Sequence, residues 1–163
     1  MKKTLMEKIA LFPGSFDPIT RGHESIVKRA LPLFDKIIVA IGVNDQKKSF
    51  FPLQQRLGWI NKVFRDFPEV EVITYEGLTV DLCKKLNAMY ILRGLRTSAD
   101  FEFERSIGQM NKKMLPGVET VFFLTTPEYT ALNSYIVRDI IRNGGDASPF
   151  IPEGIDLSAF NGQ

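Results

Sequence analysis

Phe12-Pro13-Gly14-Ser15-Phe16-Asp17-Pro18-Ile19-Thr20-Arg21-Gly22-His23 is the most informative segment of this sequence. It follows an apolar run, residues 9–12, with the length and composition of a buried strand. Pro13 and Gly14 are expected to end that strand. Apolar side chains then recur at helical spacing between residues 26 and 34. The stretch therefore predicts a strand, a turn and a helix in that order.

The predicted turn has the features of a phosphate site. A turn of this kind directs backbone N–H groups and the positive end of a helix at one point. Gly14 and Gly22 lack the Cβ atom that would keep a phosphate away from the backbone. His23, the only histidine in the chain, falls near the first turn of the helix, where its imidazole can donate to the same anion. A plain helix start, with Thr20 as the cap and His23 partly buried, is the alternative interpretation.

The composition is that of an ordinary globular protein. The chain has 163 residues, 44% apolar and 25% charged, which fits one domain over residues 1–163. Its 21 basic and 19 acidic residues give a net charge of +2, too balanced for a protein that coats nucleic acid. Residues 1–8 lack the apolar core of a signal peptide, and no run of about 18 apolar residues occurs. We expect a cytoplasmic protein that contacts neither nucleic acid nor membrane.

The single cysteine, Cys83, limits the redox and metal chemistry of the chain. An intramolecular disulfide is impossible, and one cysteine with one histidine cannot form a standard zinc site. We expect no metal held by protein side chains. Cys83 is interpreted as a small buried hydrophobe in a helix.

Five apolar runs alternate with five helical patterns. The predicted strands are residues 9–12, 37–43, 70–75, 89–92 and 121–124. The predicted helices are residues 22–34, 53–64, 79–86, 100–114 and 134–143. This alternation predicts a single Rossmann-like α/β domain with a five-stranded parallel sheet and helices on both faces. Ligands bind such sheets at the carboxyl ends of the strands, so the segments after the first, second and fourth strands carry most weight.

Lys47 and Lys48 follow the second predicted strand. A lysine at this edge can hold a phosphate as a flexible point charge. A solvated loop explains a Lys-Lys pair equally simply. Both interpretations of Lys47 stay open on the residues alone.

Arg93-Gly94-Leu95-Arg96 follows the fourth predicted strand. Guanidinium groups suit phosphate because their planar forks donate hydrogen bonds in pairs, and the glycine lets the backbone approach a ligand. The alternative is that the two arginines form surface salt bridges with Asp100 or Glu104. Such pairs contribute only about 0–1 kcal/mol and do not account for the glycine.

The segment after the fifth predicted strand contains a second helix start. Asn133 or Ser134 is a suitable N-cap, so this helix can also direct amides at an anion, although capping alone explains both residues. Residues 147–163 are expected to form a packed loop with at most one short helix. We assign no chemistry to that loop.

Together these segments resemble the bacterial phosphopantetheine adenylyltransferase family, in the nucleotidylyltransferase superfamily with its T/H-x-G-H motif, here Thr20-Arg21-Gly22-His23. The resemblance runs in order from Ile9 to about Glu153. Its most specific part is Arg93-Gly94-Leu95-Arg96 with the downstream Ala99-Asp100-Phe101-Glu102. Ser15 stands where the family usually has threonine. Of the family's I-S-S-S/T stretch, only Ser134 is kept.

The resemblance implies the following site. Ser15, Phe16 and His23 contact the ATP phosphates, with Ser15 also near the acceptor phosphate. Lys47, Thr79 and Arg93 contact phosphopantetheine, and His23, Lys47 and Arg93 are the catalytic donors. The residues implied for the adenine nucleotide are Gly94, Leu95, Arg96, Glu104, Tyr129, Thr130, Ala131, Leu132, Asn133, Ser134 and Tyr135.

The implied reaction is attack of the 4′-phosphate of phosphopantetheine on the α-phosphorus of ATP, which gives dephospho-coenzyme A and pyrophosphate. A phosphate monoester with a second pKa of about 6 is largely dianionic at neutral pH, so no protein base is needed. Mg²⁺ is expected to arrive with ATP, held by substrate oxygens and water. The resemblance also implies a homohexamer. The alternatives are another phosphorylated acceptor, such as nicotinamide mononucleotide, and a non-catalytic adenine-nucleotide sensor.

Overall fold

The computed structural model describes residues 6–158. Residues 1–5 and 159–163 lie outside this range, and with them parts of the predicted N-terminal segment and of the C-terminal loop. The described chain forms one parallel sheet in the order β3-β2-β1-β4-β5. Its strands are β1 Ile9–Gly14, β2 Lys36–Gly42, β3 Val70–Tyr75, β4 Tyr90–Leu95 and β5 Glu119–Leu124. The predicted five-stranded parallel sheet is confirmed.

In the described part of the chain, five helices connect and follow the strands. They are α1 Arg21–Ala30, α2 Leu53–Val63, α3 Thr79–Leu86, α4 Ser98–Met114 and α5 Ser134–Arg142. Short 3₁₀ turns occupy Leu31–Leu33, Pro127–Tyr129 and Ser148–Phe150. The first helix ends at Ala30, earlier than predicted, because Pro32 lacks the N–H that an α-helix needs and the chain tightens into a 3₁₀ turn. Within residues 6–158 no helix is long and apolar enough to cross a bilayer.

The sheet is buried on both faces, as the sequence predicts. On one face, Phe12 and Val39 pack with buried residues of α1, α2 and α5. On the other face, Leu11 and Ile38 pack with Cys83 of α3. Burial raises the pKa of the Cys83 thiol to about 11, so the thiol stays protonated and packs as a small apolar side chain.

β1 and β4 diverge toward their carboxyl ends. β1 pairs with β2 along its whole length, but it pairs with β4 only at Ala10 and Leu11. The expectation that Pro13 and Gly14 end the strand is wrong, because both continue the pairing with β2. Pro13 has no backbone N–H to donate. The sheet tolerates this because the Pro13 peptide lies beside the gap, where β4 no longer pairs with β1. This gap lies where the strand order reverses, the usual ligand position in such sheets.

Candidate active site

A cavity of about 480 Å³ opens over the gap between β1 and β4. Its walls include the first turns of three helices: α1 at Thr20 and His23, α4 at Asp100, and α5 at Asn133 and Ser134. The N-terminus of each helix carries a partial positive charge and exposes N–H groups without helical partners. Three such ends around one cavity favour a ligand with several negative charges.

His23 is the third residue of α1 and takes part in its cap. The Thr20 side chain accepts a hydrogen bond from the backbone N–H of His23, and the Thr20 N–H donates to His23 Nδ1 at 3.0 Å. Because a backbone N–H can only donate, Nδ1 carries the lone pair and the ring proton lies on Nε2. Removal from water, together with the charges of Arg93 and Arg96, lowers the pKa of His23 to about 4. At neutral pH the imidazole is an uncharged donor, so the cap leaves Nε2 available to donate a hydrogen bond.

Phe16 adopts a left-handed conformation with a φ of 46°, and its ring is buried. The ring meets the imidazole of His23 edge-on, with 5.1 Å between the ring centroids. A Cβ atom on Gly14 would lie 3.1 Å from the Phe16 ring, closer than ordinary van der Waals contact. The absence of a Cβ atom at Gly14 therefore leaves space for the Phe16 ring, which packs against His23.

Arg93 is engaged on three sides. Its Nε and Nη2 donate to the two carboxylate oxygens of Glu104 at 2.9 and 2.5 Å, and its Nη1 donates to Pro13 O at 2.6 Å. The alternative pairing with Glu104 therefore exists, but it is not a surface bridge, because the Glu104 side chain is only 11% exposed. These bonds use three of the five guanidinium N–H groups, so pairing with Glu104 and binding of phosphate are compatible.

Arg96 pairs with Asp100. Its Nε and Nη2 lie 3.0 and 3.2 Å from the carboxylate oxygens.

Arg93 and Gly94 lie within β4 rather than after it, which corrects the predicted end of that strand. A Cβ atom on Gly94 would lie 3.3 Å from the side chain of Ile26, so this glycine also serves packing between the sheet and α1.

A second cavity of about 200 Å³ adjoins the first. Both cavities are lined by Arg93 and Glu104, so this ion pair forms part of the wall between them. Thr79 of α3 also lines the second cavity, and its hydroxyl lies 2.9 Å from that of Tyr75. The Thr120 hydroxyl oxygen, on another wall, is buried without a hydrogen-bond partner in the described part of the chain. The two cavities therefore meet at Arg93.

The cytidylyltransferase-like family model matches residues 11–140. The phosphopantetheine adenylyltransferase of Flavobacterium psychrophilum is 57% identical over 146 residues, which cover 90% of this chain and 96% of that protein. The chain belongs to the phosphopantetheine adenylyltransferase family. The family predicted from the sequence motifs is thereby confirmed.

Two solved structures of low sequence identity share the fold of this chain. A nicotinic acid mononucleotide adenylyltransferase of Plasmodium falciparum, complexed with NaAD, superposes with a TM-score of 0.63 at 17% identity, covering 89% of this chain and 90% of that one. A structure from Vibrio parahaemolyticus gives a TM-score of 0.69 at 16% identity, covering 92% and 90%. At this identity the likeness shows the Rossmann-like nucleotidyltransferase fold alone.

The structure brings together most of the residues predicted for the site of this adenylyltransferase family member. Those that line the larger cavity are Ser15, Phe16, His23, Arg93, Gly94, Arg96, Glu104, Leu132, Asn133 and Ser134. Thr79 lines the smaller one. Asn133 is the N-cap of α5, with its Oδ1 accepting from the Ile136 N–H at 2.9 Å, and the Ser134 hydroxyl donates to Pro18 O at 2.8 Å.

Other predicted residues line neither cavity. Lys47 lies in the exposed loop after β2. Leu95 is buried, with 7% exposure, and packs at the end of β4. Four further residues lie outside both linings: Tyr129, Thr130, Ala131 and Tyr135.

Sequence reasoning missed three contributors, Asn111 and Thr120 in the second cavity and Arg56 beneath the turn. The only local signal for Asn111 is a polar residue in the helix that follows the arginine segment. Thr120 has no motif of its own, and the bond from Arg56 to Ser15 joins residues 41 positions apart. Within residues 6–158, no cluster of three or more His, Cys, Asp or Glu side chains is arranged to hold a metal ion.

Proposed function

We propose that this chain transfers the adenylyl group of ATP to the 4′-phosphate of phosphopantetheine, giving dephospho-coenzyme A and pyrophosphate in coenzyme A biosynthesis. The observation that carries the proposal is the pair of adjoining cavities with Arg93 and Glu104 in their common wall. A transferase must bring two substrates to one point, and Arg93 is placed to hold a phosphate there.

The larger cavity is assigned to ATP. Its three helix N-termini suit a triphosphate, and Ser15, the backbone of Phe16 and His23 are assigned to the phosphates. The adenine nucleotide is assigned to the ends of β4 and α5, from Gly94 to Arg96 and from Tyr129 to Tyr135, with Glu104 acting through its bond to Arg93.

The smaller cavity is assigned to the pantetheine arm of the acceptor. That arm alternates amides with short apolar links, and the walls match it with Thr79 and Asn111 beside Ile91 and Ile107. In this orientation the acceptor phosphate lies at Arg93 and Ser15. Lys47 reaches it only if the loop after β2 moves inward when the acceptor binds.

The chemistry is a displacement at phosphorus. An oxygen of the 4′-phosphate forms a bond to the α-phosphorus of ATP, the bond from that phosphorus to the α,β-bridging oxygen breaks, and pyrophosphate leaves with the electron pair. The nucleophile is already ionised at neutral pH. His23 acts as an uncharged donor from Nε2 to the α-phosphoryl oxygens, and Arg93, Arg96 and Lys47 supply positive charge. Catalysis then rests on positioning and electrostatic stabilisation.

Mg²⁺ is proposed to enter as Mg·ATP. The two carboxylates of the larger cavity, Asp100 and Glu104, are each engaged by an arginine. Triphosphate oxygens and water are therefore assigned as the ligands of the ion.

A homo-oligomer is also proposed, a homohexamer by the family resemblance. A row of exposed apolar side chains on one side of α4 supports self-association. Its members are Phe103, Ile107, Met110 and Met114, which are 68%, 38%, 59% and 51% exposed. A cytoplasmic location stays a prediction of the sequence.

The test is mass detection of dephospho-coenzyme A from ATP, Mg²⁺ and phosphopantetheine, with nicotinamide mononucleotide as a parallel acceptor. We expect product with phosphopantetheine as the acceptor and none with nicotinamide mononucleotide. Product from nicotinamide mononucleotide alone would assign a different acceptor. Binding of ATP with no release of pyrophosphate from either acceptor would make the chain a nucleotide sensor.

A further inference from the structure

We propose that Arg56 is a positioning residue that holds the turn of Ser15 and Phe16 in its working geometry and ties that turn to the segment carrying Lys47. The inference rests on the proposed adenylyl transfer for its functional meaning. Arg56 lies at the start of α2, is only 4% exposed and lines neither cavity. Its influence on the reaction must therefore pass through other residues.

The Arg56 guanidinium bridges two loops. Nη1 donates to Ser15 O at 2.6 Å, Nη2 donates to the Ser49 hydroxyl at 3.0 Å, and Nε donates to Phe51 O at 3.1 Å. A planar group with donors in fixed directions holds three acceptors in one relative position, which a lysine cannot do.

Asp17 reinforces the same junction from the opposite loop. Its carboxylate is buried, with 7% exposure, and accepts from the N–H groups of Phe50 and Phe51 at 2.8 and 2.9 Å. Turn and segment are thus joined by charge-assisted hydrogen bonds from both sides. The turn and residues 50–51 therefore cannot move apart without breaking a buried hydrogen bond.

The bond to Ser15 O bears directly on His23. That carbonyl belongs to the peptide that precedes Phe16, and the orientation of this peptide sets the left-handed φ of 46° at Phe16. L-residues rarely adopt this conformation without external support. Because the Phe16 ring packs 5.1 Å from the His23 ring, Arg56 positions the imidazole through Ser15 and Phe16.

The bond to Ser49 bears on the acceptor side. Ser49 follows Lys47 by two residues in the loop after β2. Anchoring Ser49 limits how far the Lys47 backbone can move from the turn. Arg56 therefore couples the position of the donor phosphates to that of the acceptor lysine.

The first test compares Arg56→Lys with Ile60→Val, a packing change at a fully buried position in the same helix. His23 is the only histidine, so in tag-free protein its two ring C–H groups give the only histidine signals in the NMR spectrum. We expect both signals to move in Arg56→Lys, because the ring current of Phe16 at His23 changes, and to stay in place in Ile60→Val. Unmoved signals in folded Arg56→Lys overturn the proposal. Since this readout needs no turnover, wild-type protein that makes no dephospho-coenzyme A contradicts only the proposed function.

The second test is kinetic. We expect the kcat of Arg56→Lys to fall by roughly 10- to 100-fold, the scale on which small misplacements act, while Ile60→Val keeps the wild-type value. Ser49→Ala removes only one of the three hydrogen-bond acceptors of Arg56, and it replaces Arg56→Lys in this test if that variant does not fold. It should raise the KM for phosphopantetheine by about 3- to 10-fold with the KM for ATP unchanged. An unchanged KM for phosphopantetheine in Ser49→Ala, or equal kcat values in Arg56→Lys and Ile60→Val, overturns the proposal.

Discussion

The Nδ1 atom of His23 lies 3.0 Å from the backbone nitrogen of Thr20, so the cap of α1 sets which ring nitrogen carries the proton. The sequence offers a helix cap and a phosphate donor as alternative interpretations of His23. The geometry makes them compatible, because Nδ1 serves the cap and Nε2 is left for a ligand. A histidine in this state donates a hydrogen bond at neutral pH without carrying charge.

His23→Ala should depress turnover much more than ATP affinity. Loss of one donor that acts on charge developing in the transition state commonly costs about 2.7–4 kcal/mol, or roughly 10²- to 10³-fold in kcat. Steady-state kinetics and calorimetric ATP titration measure the two effects. Turnover within a few-fold of wild type, in protein with an unchanged melting profile, would return His23 to a purely structural role.

The folded protein should lose stability as the pH is lowered from about 6.5 to about 4, because of His23. The folded pKa of His23 is lowered from 6.5 to about 4, so in this window the unfolded chain binds a proton that the folded protein excludes. Unfolding is then favoured as the pH drops, by at most about 3 kcal/mol once both pKa values are passed. Urea unfolding at several pH values should show a steeper decline for wild type than for His23→Ala. Parallel curves for the two proteins would contradict the lowered pKa.

Arg93→Lys should be nearly as damaging as Arg93→Ala, although it keeps the charge. A lysine cannot span both oxygens of Glu104 and also reach Pro13 O, so the donor that faces the substrates loses its orientation. Kinetics against phosphopantetheine, with melting temperatures as a folding control, measure the effect. A fully active lysine variant would contradict the role assigned to the planar fork.

Lys47→Ala should weaken the use of phosphopantetheine more than the binding of ATP. The matched control is Lys48→Ala, which removes the same charge from the neighbouring position of the same exposed loop. Calorimetric affinities for both ligands separate the two lysines. Equal losses for the two ligands, or equal effects of the two variants, would show that only the net charge of the loop matters.

Thr120→Val should leave the fold at least as stable as the wild-type fold. The Thr120 hydroxyl oxygen is buried and unpartnered within the described chain, so replacing it by a methyl group removes no hydrogen bond from the folded protein. We expect an unchanged or slightly higher melting temperature in thermal unfolding. A lower melting temperature would contradict the absence of a hydrogen-bond partner for this hydroxyl.

The sequence predicts the sheet and the helix starts around the larger cavity well because their signals are local. Apolar runs mark the strands, and His23 and Asn133 lie at helix starts whose caps are read from neighbouring residues. The end of β1 is mispredicted because a proline usually stops a strand, whereas Pro13 continues this one. Its tolerance depends on the absence of a ladder partner in the gap beside β4, and only the fold reveals that gap.

The connections between distant segments are the part that the sequence does not reveal. The bond from Arg56 to Ser15 spans 41 positions, and that from Arg93 to Pro13 spans 80. Neither has a spacing signature, because each depends on how the strands are ordered. Arg93 could therefore be predicted as a phosphate ligand from its residue type, whereas its fixed orientation by Glu104 and Pro13 could not.

The 4′-phosphate of phosphopantetheine is proposed to attack the α-phosphorus of ATP beside Arg93. The most direct measurement uses phosphopantetheine with ¹⁸O in its terminal phosphate and follows the label in both products by mass spectrometry. We expect all of the label in dephospho-coenzyme A and none in pyrophosphate. Label in pyrophosphate, or ATP consumption without labelled dephospho-coenzyme A, would contradict it.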